Sequence, residues 1–248
     1  MASVLLRSTL LGKEPRRAMR RSADMPSRHI HHGRTSEPDL FRQEPVERHF
    51  SSLKQVREAA ETCERCPLYR NATQTVFGEG PAHAPVMFIG EQPGDQEDLQ
   101  GKPFVGPAGK IFDRALEEAG VDRKLVYVTN AVKHFKFEPR GKRRLHKKPN
   151  AYEIERCKWW LEQERAIVQP QLVVALGATA ARSLMGRQVA IGKVRGAVSA
   201  LAGGTQLLVT IHPSALLRIQ DEADKRAAYA EFVKDLKAAA RTVFRKAA

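Results

Sequence analysis

Directly after the apolar run Pro85–Ile89 the chain reads Gly90-Glu91-Gln92-Pro93-Gly94-Asp95-Gln96-Glu97-Asp98, which places four carboxylates within eight residues. The apolar run has the composition of a buried strand, so the acidic turn leaves a strand's carboxyl end, where ligand sites form in open α/β sheets. The whole chain carries 42 Lys and Arg against 28 Asp and Glu, a formal net charge of +14. One acidic loop on so basic a protein suggests chemistry on an anionic partner. The plainer alternative is a solvated loop leading into the next helix.

Two further loops carry reactive side chains. The first runs Asn130-Ala-Val-Lys-His134-Phe-Lys-Phe137 and continues as Gly141-Lys142-Arg143-Arg144-Leu145-His146-Lys147-Lys148. Such a basic tract contacts backbone phosphates or forms a solvated face. A histidine among cations stays at its ordinary pKa or below, hence neutral and nucleophilic. The second is His212-Pro213-Ser214-Ala-Leu-Leu-Arg218, after the apolar run 208–211. A neutral imidazole there can donate a hydrogen bond to a developing oxyanion, or simply cap a helix that starts with proline. The segment Gly177-Ala178-Thr179-Ala180 has the makeup of a tight strand-to-helix turn, with phosphate binding as its alternative. Trp159 and Trp160 read as packing residues.

Cys63, Cys66 and Cys157 are too few and too odd in number for a secreted disulfide framework, so the Cys-x-x-Cys pair points to metal or redox chemistry inside the cell. A basic protein without an 18-residue apolar stretch points to nucleic acid or an acidic partner rather than a membrane.

The elements that must position these loops alternate. Strands are expected at Val86–Ile89, Leu125–Thr129, Gln171–Leu176 and Gln206–Ile211. Helices are expected at Ser51–Thr62, Ala108–Ala119, Tyr152–Val168, Ala178–Met185 and Ala223–Val243. Apolar strand runs separated by helices imply a parallel sheet covered on both faces, an α/β fold of three αβα layers around a central four-stranded, mainly parallel sheet. Residues 1–48 hold ten Lys and Arg with little apolar periodicity. They read as a largely disordered basic extension, with a transit peptide over Met1–Ala23 as the alternative. The folded domain is expected over 49–248.

The acidic turn, Gly101-Lys-Pro-Phe104-Val-Gly-Pro-Ala-Gly109, Thr129-Asn130-Ala-Val-Lys133 and His-Pro-Ser-x-Leu-Leu-Arg, in this order over about residues 55–245, resemble the iron–sulfur branch of the uracil-DNA glycosylase superfamily. The Lys-Arg-Arg-Leu-His tract resembles the mark of its X-type subfamily. The resemblance implies that Glu91 is the catalytic carboxylate, Gln92 the pocket residue after it and Asp95 a second acidic pocket position. It makes Phe104 the aromatic that stacks on a flipped uracil, and Asn130 the amide that reads the base's edge. His212 then stabilises the departing uracil anion, and His146 becomes covalently joined to the sugar C1′ with support from Arg144. Lys142, Arg143, Lys147, Lys148, Ser214 and Arg218 become the DNA contacts.

Most members of that branch hold a [4Fe–4S] cluster with four cysteines. Here the one after the Thr-Asn strand is replaced by His134, so the implied ligands are Cys63, Cys66, His134 and Cys157. Zinc is held by the same donor types.

The chemistry is coherent. Excision needs the nucleotide extruded into a pocket, which costs least on single-stranded DNA. A carboxylate near C1′ stabilises oxocarbenium character, and an amide can match both O4 and N3–H of uracil. The resemblance therefore implies a monomeric, cytoplasmic, nucleoid-associated glycosylase that acts on uracil in DNA and traps itself through His146. Its rivals are a turnover hydrolase in which His146 only assists, and a non-catalytic iron–sulfur module that binds nucleic acid.

Overall fold

The computed structural model describes residues 50–244; the basic extension assigned to 1–48 lies outside them. In chain order the elements are α1 (Leu53–Glu61), β1 (Val86–Gly90), α2 (Asp95–Gln100), α3 (Pro107–Glu118), β2 (Tyr127–Asn130), β3 (Phe137–Arg140), β4 (Arg143–His146), α4 (Ala151–Val168), β5 (Leu172–Leu176), α5 (Ala178–Met185), α6 (Ile191–Val194), β6 (Val198–Ala200), β7 (Gln206–Thr210) and α7 (Glu222–Phe244). Among the described residues no helix is long and apolar enough to cross a membrane.

The main sheet has the order β2-β1-β5-β7-β6. Its first four strands are parallel, as the apolar runs imply. A fifth, β6, pairs antiparallel with β7 at the edge and corrects the expected count of four. Its three residues are all exposed, so no apolar alternation announces it. Alternate residues of the buried strands serve two cores. Val86 and Phe88 pack with Phe112 of α3 and Phe232 of α7, while Met87 and Ile89 pack with Leu161 of α4 and Ala180 of α5.

Two segments read as loops are ordered elements. The acidic turn contains the short helix α2, and residues 137–146 form the antiparallel hairpin β3–β4 with Phe137 opposite His146. The periodicity of a six-residue helix is too short to read, and the hairpin's strands are polar.

Beyond β2 the chain is held by a buried ion pair. Lys133 and Glu164 are both fully buried and 2.5 Å apart. The Lys133 ammonium also donates to Thr129 Oγ1 at 2.6 Å and to the Asn130 carbonyl at 2.8 Å. Glu164 accepts from the Tyr127 hydroxyl, the Thr129 hydroxyl and the Gly78 backbone N–H. Every ammonium proton thus has a partner, which makes a buried lysine tolerable. Lys133→Met leaves Glu164 uncompensated and should cost about 3–5 kcal/mol, read from urea unfolding; a loss below about 1 kcal/mol would contradict the role assigned to this pair.

Candidate active site

The site lies at the carboxyl ends of β1, β2 and β7, around a cavity of about 630 Å³ whose lining includes Phe104, Asn130, His146 and His212. Gly90 ends β1 and pairs with Asn130 of β2. A Cβ at Gly90 would overlap Asn130 Oδ1, lie 2.8 Å from Phe104 Cζ and stand 3.4 Å from His212 Nε2. Three expected site residues thus converge on a position that only glycine leaves open.

Each of the three is fixed separately. Asn130 is buried, and its backbone carbonyl takes the Lys133 ammonium, leaving the side-chain amide toward the cavity. Phe104 has φ +59°, a conformation rare for a bulky residue. Its ring packs at 5.0 Å from Phe112 and lies near-parallel to His212 at 6.2 Å. A Cβ on Gly109 would strike the Phe104 backbone, so the loop folds onto α3 only because residue 109 is glycine. His212 Nδ1 accepts from the Ser214 backbone N–H at 3.2 Å. A backbone N–H can only donate, so in the neutral ring Nε2 carries the hydrogen and faces the cavity. Burial, reinforced by His146 and Arg218, lowers its pKa from 6.5 to about 4. The imidazole is therefore a neutral donor at physiological pH.

Of the four carboxylates in the acidic turn, two are structural. Glu97 accepts from the backbone N–H groups of Gly94 and Gly106 at 3.1 and 2.7 Å. Asp98, fully buried, accepts from Thr73 and Arg144. Asp95 lines the cavity but its Oδ1 accepts from Arg144 Nε at 2.6 Å. Glu91 reaches the cavity through His146, whose Nε2 stands 3.4 Å from Glu91 Oε1. Its other oxygen accepts from the Thr179 hydroxyl at 2.5 Å. Burial lowers the His146 pKa, Glu91 opposes that shift and Arg218 adds to it. The ring is held toward its neutral form.

The hairpin that carries His146 is tied down by two side chains. Gln92, expected in the base pocket, lines the cavity and uses its amide on the hairpin: Nε2 donates to the carbonyls of Lys136 and Lys147, and Oε1 accepts from the Lys136 N–H. Arg144 bonds Asp95 and Asp98 while its guanidinium lies over Phe135 and Phe137 at 5.4 and 5.2 Å. The other cations of the tract, Lys142, Arg143, Lys147 and Lys148, are exposed around it, with Lys147 paired to Glu138. Ser214 and Arg218 also line the cavity and bond one another. Sequence reading missed Gly90, Thr179 and Asp98. The first two had a visible signal, Gly90 as the residue directly after one strand run and Thr179 in the first turn of the helix after another.

Cys63, Cys66 and Cys157 are all buried in one cluster with Val56, Ile154 and Trp160. Cys63 Sγ accepts from Trp160 Nε1 at 3.0 Å and Cys157 Sγ from the Lys133 N–H at 3.2 Å. Burial pushes the Cys157 thiol up to about 12, despite the nearby Lys133. His134 is buried, and its Nε2 is 2.9 Å from Thr75 Oγ1. That hydroxyl already gives its one proton to the Ala60 carbonyl at 2.8 Å, so Nε2 is the donor and Nδ1 keeps its lone pair. Among the described residues no group of three or more His, Cys, Asp or Glu is drawn together tightly enough to hold a single metal ion.

A mainly parallel sheet with Phe104, Asn130 and His212 gathered at its strand ends, and His146 brought in by the β3–β4 hairpin, defines an α/β protein with a cavity beside its sheet. The profile of the Uracil DNA glycosylase superfamily matches residues 77–237. A type-4 uracil-DNA glycosylase of Thermotoga maritima is 40% identical over 164 residues, 66% of this chain and 82% of that protein. One from Pyrobaculum aerophilum is 38% identical over 191 residues, 74% and 91% of the two chains. A type-5 uracil-DNA glycosylase of the same organism is 34% identical over 159 residues, 59% and 63%. The chain belongs to the uracil DNA glycosylase superfamily.

The clamp gives a direct expectation. Arg144→Met should speed amide hydrogen exchange across β3–β4 while leaving exchange in β1, β5 and β7 unchanged. Unaltered hairpin protection would mean that Gln92 alone holds it.

Proposed function

We propose that this protein excises uracil from DNA and is captured on the product through His146. The observation that carries the reading is His146 Nε2, 3.4 Å from Glu91, at the edge of a cavity lined by Asn130, Phe104 and His212. The type-4 uracil-DNA glycosylases similar to this chain support the excision step. A flipped uracil stacks on Phe104 and presents its edge to Asn130. As the N1–C1′ bond breaks, its electron pair leaves with the base, where the His212 Nε2–H donates to the developing anion. Glu91 stabilises the cationic sugar. A lone pair of the neutral His146 ring then forms the new bond to C1′, and the imidazole proton passes to Glu91 or solvent. Lys142, Arg143, Lys147, Lys148, Ser214 and Arg218 are exposed or at the rim, where phosphates of a single strand can reach them.

On a denaturing gel, the protein mixed with uracil-containing single-stranded DNA should give a heat-stable shifted band. His146→Ser should abolish the band yet still release uracil, because water then reaches C1′. Glu91→Gln should suppress both. A band that survives His146→Ser would assign the nucleophile to another residue. Release at wild-type levels in Glu91→Gln would remove the carboxylate from the mechanism.

We propose in addition a [4Fe–4S] cluster held by Cys63, Cys66, Cys157 and His134 Nδ1. Three thiols in one buried apolar cluster, two of them receiving N–H donors, suit thiolate ligands. His134 keeps a lone pair available on Nδ1. The cluster would serve as a cross-link joining the end of α1, the segment after β2 and α4. Purified protein should be brown, with stoichiometric iron and sulfide, and His134→Cys should keep the colour. Stoichiometric zinc without iron would overturn this reading.

A further inference from the structure

The turn from β5 into α5 has one polar side chain that the reaction above does not use. Thr179 is 1% exposed, and its hydroxyl is 2.5 Å from Glu91 Oε2. We infer that Thr179 is a positioning residue for Glu91: it locks one carboxylate oxygen so that the other is presented to His146 and to the sugar beyond. This rests on the excision reading above.

A glutamate's last torsion is broad, with no steric well to fix it. A carboxylate that must face one sugar carbon therefore needs an outside hold. An ionised carboxylate only accepts, so the Thr179 hydroxyl is the donor. Thr179 stands in the first turn of α5, after the N-cap Gly177. There it has no helical carbonyl one turn back to compete for its proton. The turn itself is specified: Gly177 has φ +90°, and a Cβ there would come within 3.1 Å of His212 Cβ. The same glycine thus admits Thr179 to Glu91 on one side and His212 to the cavity on the other. With Oε2 held by Thr179, Oε1 is the oxygen that faces His146 Nε2. The two carboxylate oxygens have separate tasks.

The test compares Thr179→Val, which keeps the shape and loses the hydroxyl, with Thr179→Ser, which keeps the hydroxyl. Single-turnover rates of uracil release and adduct formation are measured on single-stranded uracil-DNA. Affinity is measured separately on an oligonucleotide with 2′-fluorinated deoxyuridine, whose glycosidic bond resists cleavage. Thr179→Val should be slower by about ten- to a hundredfold with affinity unchanged, and Thr179→Ser should approach wild type. The inference is overturned if Thr179→Val reacts at the wild-type rate, if Thr179→Ser is as slow as Thr179→Val, or if affinity falls in step with rate. A wild-type protein that neither releases nor captures uracil would instead bring down the excision reading. The contact is then judged by melting temperatures of Thr179→Val, Glu91→Gln and the double variant. Shifts that fail to add support it, and additive shifts overturn it.

Discussion

The absence of a side chain at Gly90 is the constraint on which the site depends. β1 and β2 run in parallel register, so Gly90 and Asn130 end side by side. A single methyl at 90 would collide with Asn130 and Phe104 and crowd His212. Close-packed protein interiors do not yield to such an intrusion without displacing neighbours. The cavity is therefore a property of backbone register, and the side chains that line it are brought in from three separate loops.

Those loops anchor to the core at Phe104 and Leu216, and their polar stretches are held by buried and part-buried hydrogen bonds. Arg144 ties the hairpin to α2 through Asp95 and Asp98, and Gln92 ties it to the end of β1. Lys133 and Glu164 hold the end of β2, and the Lys133 N–H reaches Cys157 in the thiol cluster. Each arrangement removes charge or amide from water, a cost offset only where every donor and acceptor is matched. Taking away one partner costs more than the bond itself contributes, so each clamp holds one geometry firmly. The fully buried Asp98 illustrates this, with two Thr73 donors and Arg144 around one carboxylate.

Electrostatics then sorts the remaining groups. In a protein of net charge +14, anionic DNA is drawn to the surface from a distance, while the cavity holds neutral rings. His212 is kept uncharged by burial, with Arg218 nearby acting in the same direction, and its hydrogen is placed on Nε2 by the Ser214 N–H. His146 is pulled the same way and opposed by Glu91. Two imidazoles held toward their neutral forms thus stand at one cavity inside a strongly cationic protein.

The sequence by itself determined the parallel sheet, because apolar β1, β2, β5 and β7 runs separated by amphipathic helices have few other ways to be buried. It also pointed to the loops that meet at the cavity, since Glu91, Asn130 and His212 follow strand runs and His146 lies within the basic tract. It could not show what each polar residue touches. Gln92 and Asp95 read as pocket groups and do line the cavity, but one also straps the hairpin and the other pairs with Arg144. The alternative of a solvated loop fails at Glu97 and Asp98, which are buried. The roles of Gly90 and Thr179 follow from strand register and from a turn 88 residues beyond Glu91. Apolar periodicity is local and survives in one dimension. The partner of a hydrogen bond is set by tertiary packing, and only the folded chain decides it.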